Sequence, residues 1–345
     1  MITVSETTDR SRRRLLVAVA AASLIFSTMS LAAEPLEVTG FGSNPGNLRM
    51  FSQVPPGLPP GAPLVVLLHG CKQRAASFAR DSGFLALAER QKLALVLPEQ
   101  KGLPSYLHDL YVFPSVLGWF GANNQNACFN WFEPDKTARD KGEAESIRQM
   151  MDFTIEGHAV DRSRVYIAGF SAGGAMTAAL LAAYPERFAG GAIVAGVPYG
   201  CAETVSEALS CMAVGIDHTP AQWASNVRKA APTHTNFPPL SIWHGRDDNR
   251  VVPRNRRELV HQWTAVHGVT AQPVNTELRG RATRERYNDG AITVVESILV
   301  DRLGHAFPID SRDPLTCGRP GDFVVEAGVC AAAEILRFWG LLSNN

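Results

Sequence analysis

The chain has 345 residues, of which 46% are hydrophobic and 19% charged, and its formal net charge at pH 7 is zero. This is a globular composition with enough chain to bury a large core, and α/β folds of this length often form one domain. The balanced charge argues against a nucleic acid or an anionic membrane as a partner, because no basic excess is available to neutralise phosphates.

The first 32 residues have the three parts of an export signal. Residues 12–14 are consecutive arginines, residues 15–29 form an apolar segment, and residues 30–32 (SLA) resemble a cleavage site. The apolar segment is short for a membrane span, so an uncleaved anchor is the less favoured alternative. We therefore expect residues 1–32 to be a signal peptide, and the mature protein to be periplasmic or secreted with no stable membrane anchor.

The remaining chain alternates strand-like and helix-like segments. Apolar or β-branched runs predict strands at 36–39, 48–54, 64–68, 93–98, 165–168, 190–195, 240–245 and 291–300. Helix-forming segments follow at 84–92, 142–155, 175–184, 254–267 and 331–341. Such alternation is typical of an α/β fold with an open, mostly parallel sheet, whose first two strands we expect at an edge. We expect residues 33–345 to form one domain.

Two segments depart from this alternation. Residues 100–140 are long for a loop and rich in aromatic side chains, which favours a functional segment over a disordered one. Residues 198–238 contain two cysteines and short elements of their own. We interpret them as a small, lid-like insertion over the functional site.

A Gly-x-Ser-x-Gly pattern at residues 169–173 carries the clearest chemical signal. It lies between a predicted strand and a predicted helix, as a nucleophile elbow requires. In such a tight turn the serine adopts a strained backbone conformation, and the glycines leave room where strand and helix cross. A chance match is the alternative in a glycine-rich chain, but the flanking elements favour Ser171 as a nucleophile.

A serine nucleophile needs a histidine base and a carboxylate that orients the histidine. Among the six histidines after Ser171, His305 alone lies on a loop directly after a late strand, and it is the expected base. Asp247 and Asp248 both follow the strand that begins at residue 240, and either can be an ordinary turn residue. Adjacent side chains diverge, so we expect one of them, Asp248, to reach the imidazole, with Asp247 as the alternative.

The negative charge that develops during attack on a carbonyl needs two backbone donors. We expect the amide of Ala172 to supply one and the amide of Cys71, after the strand at 64–68, to supply the other. His69 precedes that loop and is expected to be structural. No Cys-x-x-Cys or histidine-rich spacing predicts a metal site, and we expect no cofactor.

Short motifs are spread over nearly the whole mature chain. They are LLHGCKQ at 67–73, CFNWF at 128–132, GFSAGGAM at 169–176, PYGC at 198–201, WHG at 243–245 followed by Asp248 and Val251, and GH at 304–305. Together they resemble the polyhydroxybutyrate depolymerase family of esterases, from about residue 63 to the C-terminus. The resemblance implies an α/β-hydrolase fold with Ser171, Asp248 and His305 as the catalytic triad. The spacing of the family's acid loop favours Asp248 over Asp247.

The resemblance also implies an activity. The expected activity is that of an exported serine esterase that hydrolyses poly(3-hydroxybutyrate) or its oligomers through an acyl-enzyme intermediate. Related esterases that remove feruloyl or acetyl groups from plant polysaccharide are the alternative. A serine peptidase, or an inactive hydrolase that serves as a binding module, are alternatives from other classes.

The expected pocket walls are Phe129, Trp131 and Phe132, together with the insertion at 198–238. Their apolar faces suit short, methyl-bearing ester chains and could equally stack a feruloyl ring. The sequence ends at Asn345 without a polymer-binding domain, so oligomers or amorphous polymer are expected to be cut faster than crystalline polymer.

Six cysteines in an exported chain predict disulfides, although fifteen connectivities are possible. The expected pairs are Cys71–Cys128, Cys201–Cys211 and Cys317–Cys330. The last two close short loops, and the first would hold the aromatic segment beside the backbone donors.

Overall fold

A ten-stranded β-sheet is the central element of the computed structural model, which describes residues 1–2, 33–103, 123–312 and 317–343. Its strands are β1 (Leu36–Val38), β2 (Arg49–Gln53), β3 (Leu64–Leu68), β4 (Ala94–Glu99), β5 (Val165–Phe170), β6 (Gly190–Val194), β7 (Leu240–Gly245), β8 (Asn275–Arg279), β9 (Ala282–Asp289) and β10 (Ile292–Val300). Two further strands, β11 (Phe307–Ile309) and β12 (Val324–Glu326), pair with each other. The predicted signal peptide beyond its first two residues, and residues 104–122 of the aromatic segment, lie outside the described residues.

The helices of the described ranges flank this sheet. They are α1 (Ala75–Asp81), α2 (Phe84–Gln91), α3 (Pro134–Thr137), α4 (Gly142–His158), α5 (Ala172–Ala183), α6 (Val205–Ala213), α7 (Pro220–Ala230), α8 (Arg254–His267) and α9 (Ala331–Phe338). None of them combines the length and the apolar character needed to cross a membrane.

The strand order is β1-β2-β4-β3-β5-β6-β7-β10-β9-β8. The six central strands, from β4 to β10, run parallel to one another. At both ends of the sheet the pairing is antiparallel. The predicted mostly parallel sheet with flanking helices is therefore confirmed, although β2 is an inner strand that pairs with both β1 and β4.

Strands β3 to β7 are buried along their whole length because helices cover both faces of the sheet. In β3, Leu64, Val66 and Leu68 belong to the core on one face, beneath α4, α5 and α8. The intervening Val65 and Leu67 belong to the core on the other face, beneath α1, α2 and α9. The buried sheet therefore fixes the positions of the loops at the carboxyl ends of its strands.

The predicted insertion at 198–238 contains α6 and α7. Each helix starts with a capping box, formed by Thr204 and by Thr219 at the respective N-caps. Helix α7 packs against α8. Helix α6 lies beside the loop after β7, where the carbonyl oxygen of Met212 accepts from the amide of Val252 at 2.9 Å.

Candidate active site

Ser171 lies in a turn so tight that only glycine fits at the neighbouring crossing points. Its backbone has φ 55° and ψ −120°, between the end of β5 and the start of α5. A Cβ atom on Gly169 would lie 2.2 Å from the carbonyl oxygen of Gly173, and one on Gly173 would lie 2.4 Å from that of Leu68. The Gly-x-Ser-x-Gly spacing is therefore a steric requirement of this turn, which holds the serine in its strained conformation.

Loops at the carboxyl ends of β5, β7 and β10 bring Ser171, Asp248 and His305 together. The Ser171 hydroxyl donates to Nε2 of His305 at 2.8 Å, and Nδ1–H of His305 donates to Oδ2 of Asp248 at 2.7 Å. This tautomer leaves the lone pair of Nε2 facing the hydroxyl proton. The arrangement can activate the serine oxygen for attack on a carbonyl carbon.

Asp248, and not Asp247, meets the imidazole. The Asp248 side chain is buried, and its Oδ1 accepts two backbone amides of its own loop, each at 2.9 Å. Burial raises the pKa of Asp248, but the hydrogen bonds with His244 and His305 lower it by more, so the pKa lies well below its ordinary value. The carboxylate is thus ionised at neutral pH. Asp247 lies exposed on the same loop.

The amides of Cys71 and Ala172 are free to bind a substrate oxygen. Within the described residues neither amide has a hydrogen-bond acceptor: Cys71 is a half-buried loop residue, and the amide of Ala172 is one of the unpaired donors at a helix N-terminus. Cys71 lines the cavity at Ser171, and Ala172 is the first residue of α5. Two such donors beside a nucleophile can stabilise a tetrahedral oxyanion.

His69 supports the loop that carries Cys71. Its ring is wholly buried, and Nε2 accepts the amide of Gln100 at 3.1 Å while Nδ1–H donates to the carbonyl oxygen of Gly70 at 2.7 Å. Burial lowers the pKa of His69, and a neutral ring fits this pattern of one donor and one acceptor.

A buried carboxylate, absent from the predictions, extends this network. Glu143 in the first turn of α4 accepts the side-chain amide of Gln100 at 2.6 Å and that of Asn130 at 2.7 Å. Its second oxygen accepts the backbone amide of Asn130 at 3.0 Å. Burial raises the pKa of Glu143 to about 7, although these three hydrogen bonds oppose the rise. The network links the loop after β3 to the segment that contains Cys128.

A cavity of about 230 Å³ opens at Ser171. Its other described lining residues are the apolar Phe170, Met212, Val251 and Phe323, the cysteines Cys71 and Cys128, the polar Lys72, Asn126 and Arg250, and His305. Met212 falls within the predicted insertion, whereas Phe323 and Arg250 were not identified from the sequence, because loop residues without periodicity give no sign of the direction they face.

The prediction that Phe129 forms a wall of this cavity is wrong. Its side chain is fully buried in the core, with its ring centre 5.0 Å from that of His69. Phe129 therefore belongs to the core, whereas the neighbouring Cys128 lines the cavity. Trp131 and Phe132 pack edge to face at 5.5 Å, against a small apolar cluster that includes Cys201, Cys211 and Trp223. Neither lines the cavity.

Three disulfides lie within the described residues. They are Cys71–Cys128, Cys201–Cys211 and Cys317–Cys330, with sequence separations of 57, 10 and 13 residues. The first joins the loop after β3 to the segment before α3 and forms part of the cavity wall. No cluster of three or more histidine, cysteine or acidic side chains in the described ranges is arranged to hold a metal ion.

Comparison with known proteins assigns this geometry to a family. Residues 52–288 match the family model described as esterase PHB depolymerase. The chain belongs to this family. It is 39% identical over 326 residues to poly(3-hydroxyalkanoate) depolymerase C of Paucimonas lemoignei, an alignment that covers 93% of this chain and 74% of that protein.

Other relatives of this PHB-depolymerase-family esterase are named feruloyl esterase or acetyl xylan esterase. Feruloyl esterase B of Thermothelomyces thermophilus is 30% identical over 302 residues, covering 84% of this chain and 94% of that protein. A solved acetyl xylan esterase from Aspergillus awamori superposes with a TM-score of 0.72 at 22% identity, covering 90% of this chain and all of that chain, and shows the shared fold. The protein is thus a carboxylic ester hydrolase with an α/β-hydrolase fold.

Proposed function

We propose that the protein is an exported serine esterase that hydrolyses poly(3-hydroxybutyrate) or its oligomers, with Ser171, His305 and Asp248 as its catalytic triad. The observation that carries the proposal is the hydrogen-bonded chain from Ser171 through His305 to Asp248, at 2.8 and 2.7 Å, in a largely apolar cavity. The identity of 39% to a poly(3-hydroxyalkanoate) depolymerase directs the choice of substrate.

The proposed reaction has two steps. In the first, His305 Nε2 takes the hydroxyl proton as Ser171 Oγ bonds to the ester carbon, while the amides of Cys71 and Ala172 stabilise the negative oxygen. The ester C–O bond then breaks, His305 returns the proton to the departing alcohol oxygen, and the acyl group stays on the serine. In the second step water replaces the alcohol, with the same proton transfers, and releases the acid. Asp248 keeps the imidazole oriented and stabilises its cationic form.

The cavity walls favour a short aliphatic acyl group. Met212 and Val251 present flexible or branched apolar surface, which suits the methyl-bearing hydroxybutyrate unit and gains from its burial. The ring of Phe323 also lines the cavity and could stack a feruloyl group, which favours a feruloyl esterase as the second candidate. The relatives named feruloyl esterase B support that candidate.

We also propose that the protein is exported from the cytosol. Three disulfides persist in an oxidising compartment, such as the periplasm or the extracellular medium, and are rare in the cytosol. The N-terminal signal pattern supports the same location.

The decisive measurement is the ratio of kcat/KM for a 3-hydroxybutyrate trimer to that for methyl ferulate. We expect the trimer to be preferred, and a preference of about tenfold or more for methyl ferulate, equal to about 1.4 kcal/mol in transition-state binding, would replace the proposal by the second candidate. Ser171→Ala is the control for both substrates. It should abolish hydrolysis and leave the far-UV circular dichroism spectrum, and hence the fold, unchanged. A serine-directed phosphonate should label the wild type at Ser171 and leave this variant unlabelled.

A further inference from the structure

The catalytic cavity carries positive charge that the hydrolytic steps do not use. Lys72 and Arg250 both line it, and the described lining residues include no carboxylate. Asp248 is buried, and its Oδ2 is hydrogen-bonded to His305. Arg250 is thus a cation in the cavity wall that no carboxylate among the described lining residues neutralises. A cavity lined by charge of one sign attracts a ligand group of the opposite sign.

Arg250 is held in place without using its side-chain donors. Its backbone amide donates to Oδ1 of Asp248 at 2.9 Å, which ties its position to the acid loop. Its guanidinium carbon lies 5.2 Å from the ring centre of Phe323, and that ring lies 6.2 Å from the imidazole of His305. A guanidinium stacked on an aromatic face keeps its N–H groups directed outward along its edge.

No acceptor among the described residues occupies these N–H groups of Arg250. The contrast is Arg246, four positions earlier on the same loop, whose guanidinium is paired with the carboxylate of Asp301. The loop thus carries one arginine that is neutralised by the protein and one, in the cavity, that is not.

We propose that Arg250 binds a free carboxylate of the substrate, the group that ends every hydroxyacid oligomer. This inference rests on the proposed function and narrows its substrate class to acid-terminated chains. A planar guanidinium binds a carboxylate through two parallel hydrogen bonds, which fix orientation as well as add affinity. Bound in this way, the acid end of an oligomer holds a neighbouring ester bond at Ser171. Each internal cleavage of a longer chain creates another carboxylate of this kind.

The test compares the 3-hydroxybutyrate trimer as the free acid with its methyl ester, which differ only in the terminal charge. The quantity measured is kcat/KM on both compounds, at low and at high NaCl. It is measured for four proteins: the wild type, Arg250→Gln, Arg250→Lys and the control Arg246→Gln. Arg250→Gln should reduce the acid-to-ester ratio of kcat/KM by about tenfold or more, because a charge-assisted bidentate contact is lost. Arg250→Lys should retain part of the ratio, and Arg246→Gln should leave it at the wild-type value. Added salt should lower the ratio in the wild type and not in Arg250→Gln.

Two results would overturn the inference while the proposed function stands. An equal loss on both trimers in Arg250→Gln, with the acid-to-ester ratio unchanged, would mean that the arginine acts only by packing on Phe323. Wild-type kcat/KM on both trimers in this variant would mean that the carboxylate is not bound there. If the wild type cleaves neither trimer but does cleave methyl ferulate, the proposed function fails and this inference fails with it.

Discussion

At the scale of single residues, the position of the Ser171 oxygen is fixed before any substrate arrives. A residue with a side chain at φ 55° and ψ −120° is under backbone strain, on the order of 1–3 kcal/mol. The turn keeps this conformation because the Ser171 amide donates to the carbonyl oxygen of Val194 at 2.9 Å and its own carbonyl accepts from Ala175 at 2.9 Å. Fixing the nucleophile in this way reduces the ordering that the reaction itself must supply.

Asp248→Asn should lower kcat/KM by about three to four orders of magnitude, as loss of the orienting carboxylate does in other serine hydrolases. The asparagine amide facing Nδ1 favours the tautomer with its proton on Nε2, which cannot accept the serine proton. Asp247→Asn should stay within about twofold of the wild type, because Asp247 is an exposed loop residue. The measurement is kcat/KM on a soluble short-chain p-nitrophenyl ester. A greater loss in Asp247→Asn than in Asp248→Asn would move the acid by one residue.

The sequence can reveal residues whose spacing is itself a steric requirement. The elbow around Ser171 is of this kind, and the order of serine, acid and histidine along the chain points to Asp248 and His305. Glu143 has no such signature, because a glutamate in the first turn of a helix is ordinary. Its partners lie 13 and 43 positions away, and only the fold brings them together.

At the scale of elements, the Cys71–Cys128 disulfide joins two loops that meet at the nucleophile. The adjacent Lys72 amide donates to the carbonyl oxygen of Asn126 at 2.7 Å, so a backbone contact reinforces the covalent one. The free amide of Cys71 is therefore on a loop that is held from both sides. In contrast, the Cys317–Cys330 disulfide closes a short loop before α9.

Replacing Cys71 and Cys128 together by serine should reduce kcat/KM by about tenfold or more, because the oxyanion donor loses its anchor. The matched variant, with serine at both Cys317 and Cys330, should lose less activity. By chain entropy the two variants should lose similar stability, about 4 and about 3 kcal/mol, so activity is compared at a temperature where urea titration shows both to be folded. Equal activity losses at matched folded fractions would contradict this role for the first disulfide.

The elements that escaped prediction are short or polar. Strand β9 has the sequence ATRERYND, and one of its inward positions is taken by Arg284, which is paired with Glu296 and Glu334. A buried ion pair removes the apolar alternation by which a strand is identified. Strand β8 is exposed along most of its length, and α1 has only seven residues. The fully buried central strands, by contrast, are evident as apolar runs.

At the scale of the whole molecule, the buried carboxylate of Glu143 makes the stability of the fold depend on pH. Glu143 is completely buried and has no cationic partner among its hydrogen bonds, which come from Gln100 and Asn130. Its pKa is about 7 in the folded protein, raised from an ordinary value of 4.5. Between these two values the folded protein holds a proton on Glu143 that the unfolded chain has lost. The associated stability is fully present below about pH 4.5 and is lost as pH rises through about 7.

Glu143→Gln should remove this dependence, because glutamine does not titrate. The free energy of unfolding is measured by urea titration at pH 5 and pH 8.5 with the disulfides intact. On going to pH 8.5 the wild type should lose up to about 3 kcal/mol relative to Glu143→Gln, which follows from a pKa shift of this size. Glutamine cannot accept all three hydrogen bonds, so this variant should be less stable than the wild type at pH 5, where protonated Glu143 places no charge in the core.

The control is Glu156→Gln, at an exposed position on the same helix α4. The difference in unfolding free energy between this control and the wild type should be similar at both pH values. A wild type that gains stability relative to Glu143→Gln at pH 8.5 would mean that the network holds Glu143 as an ionised group throughout this range.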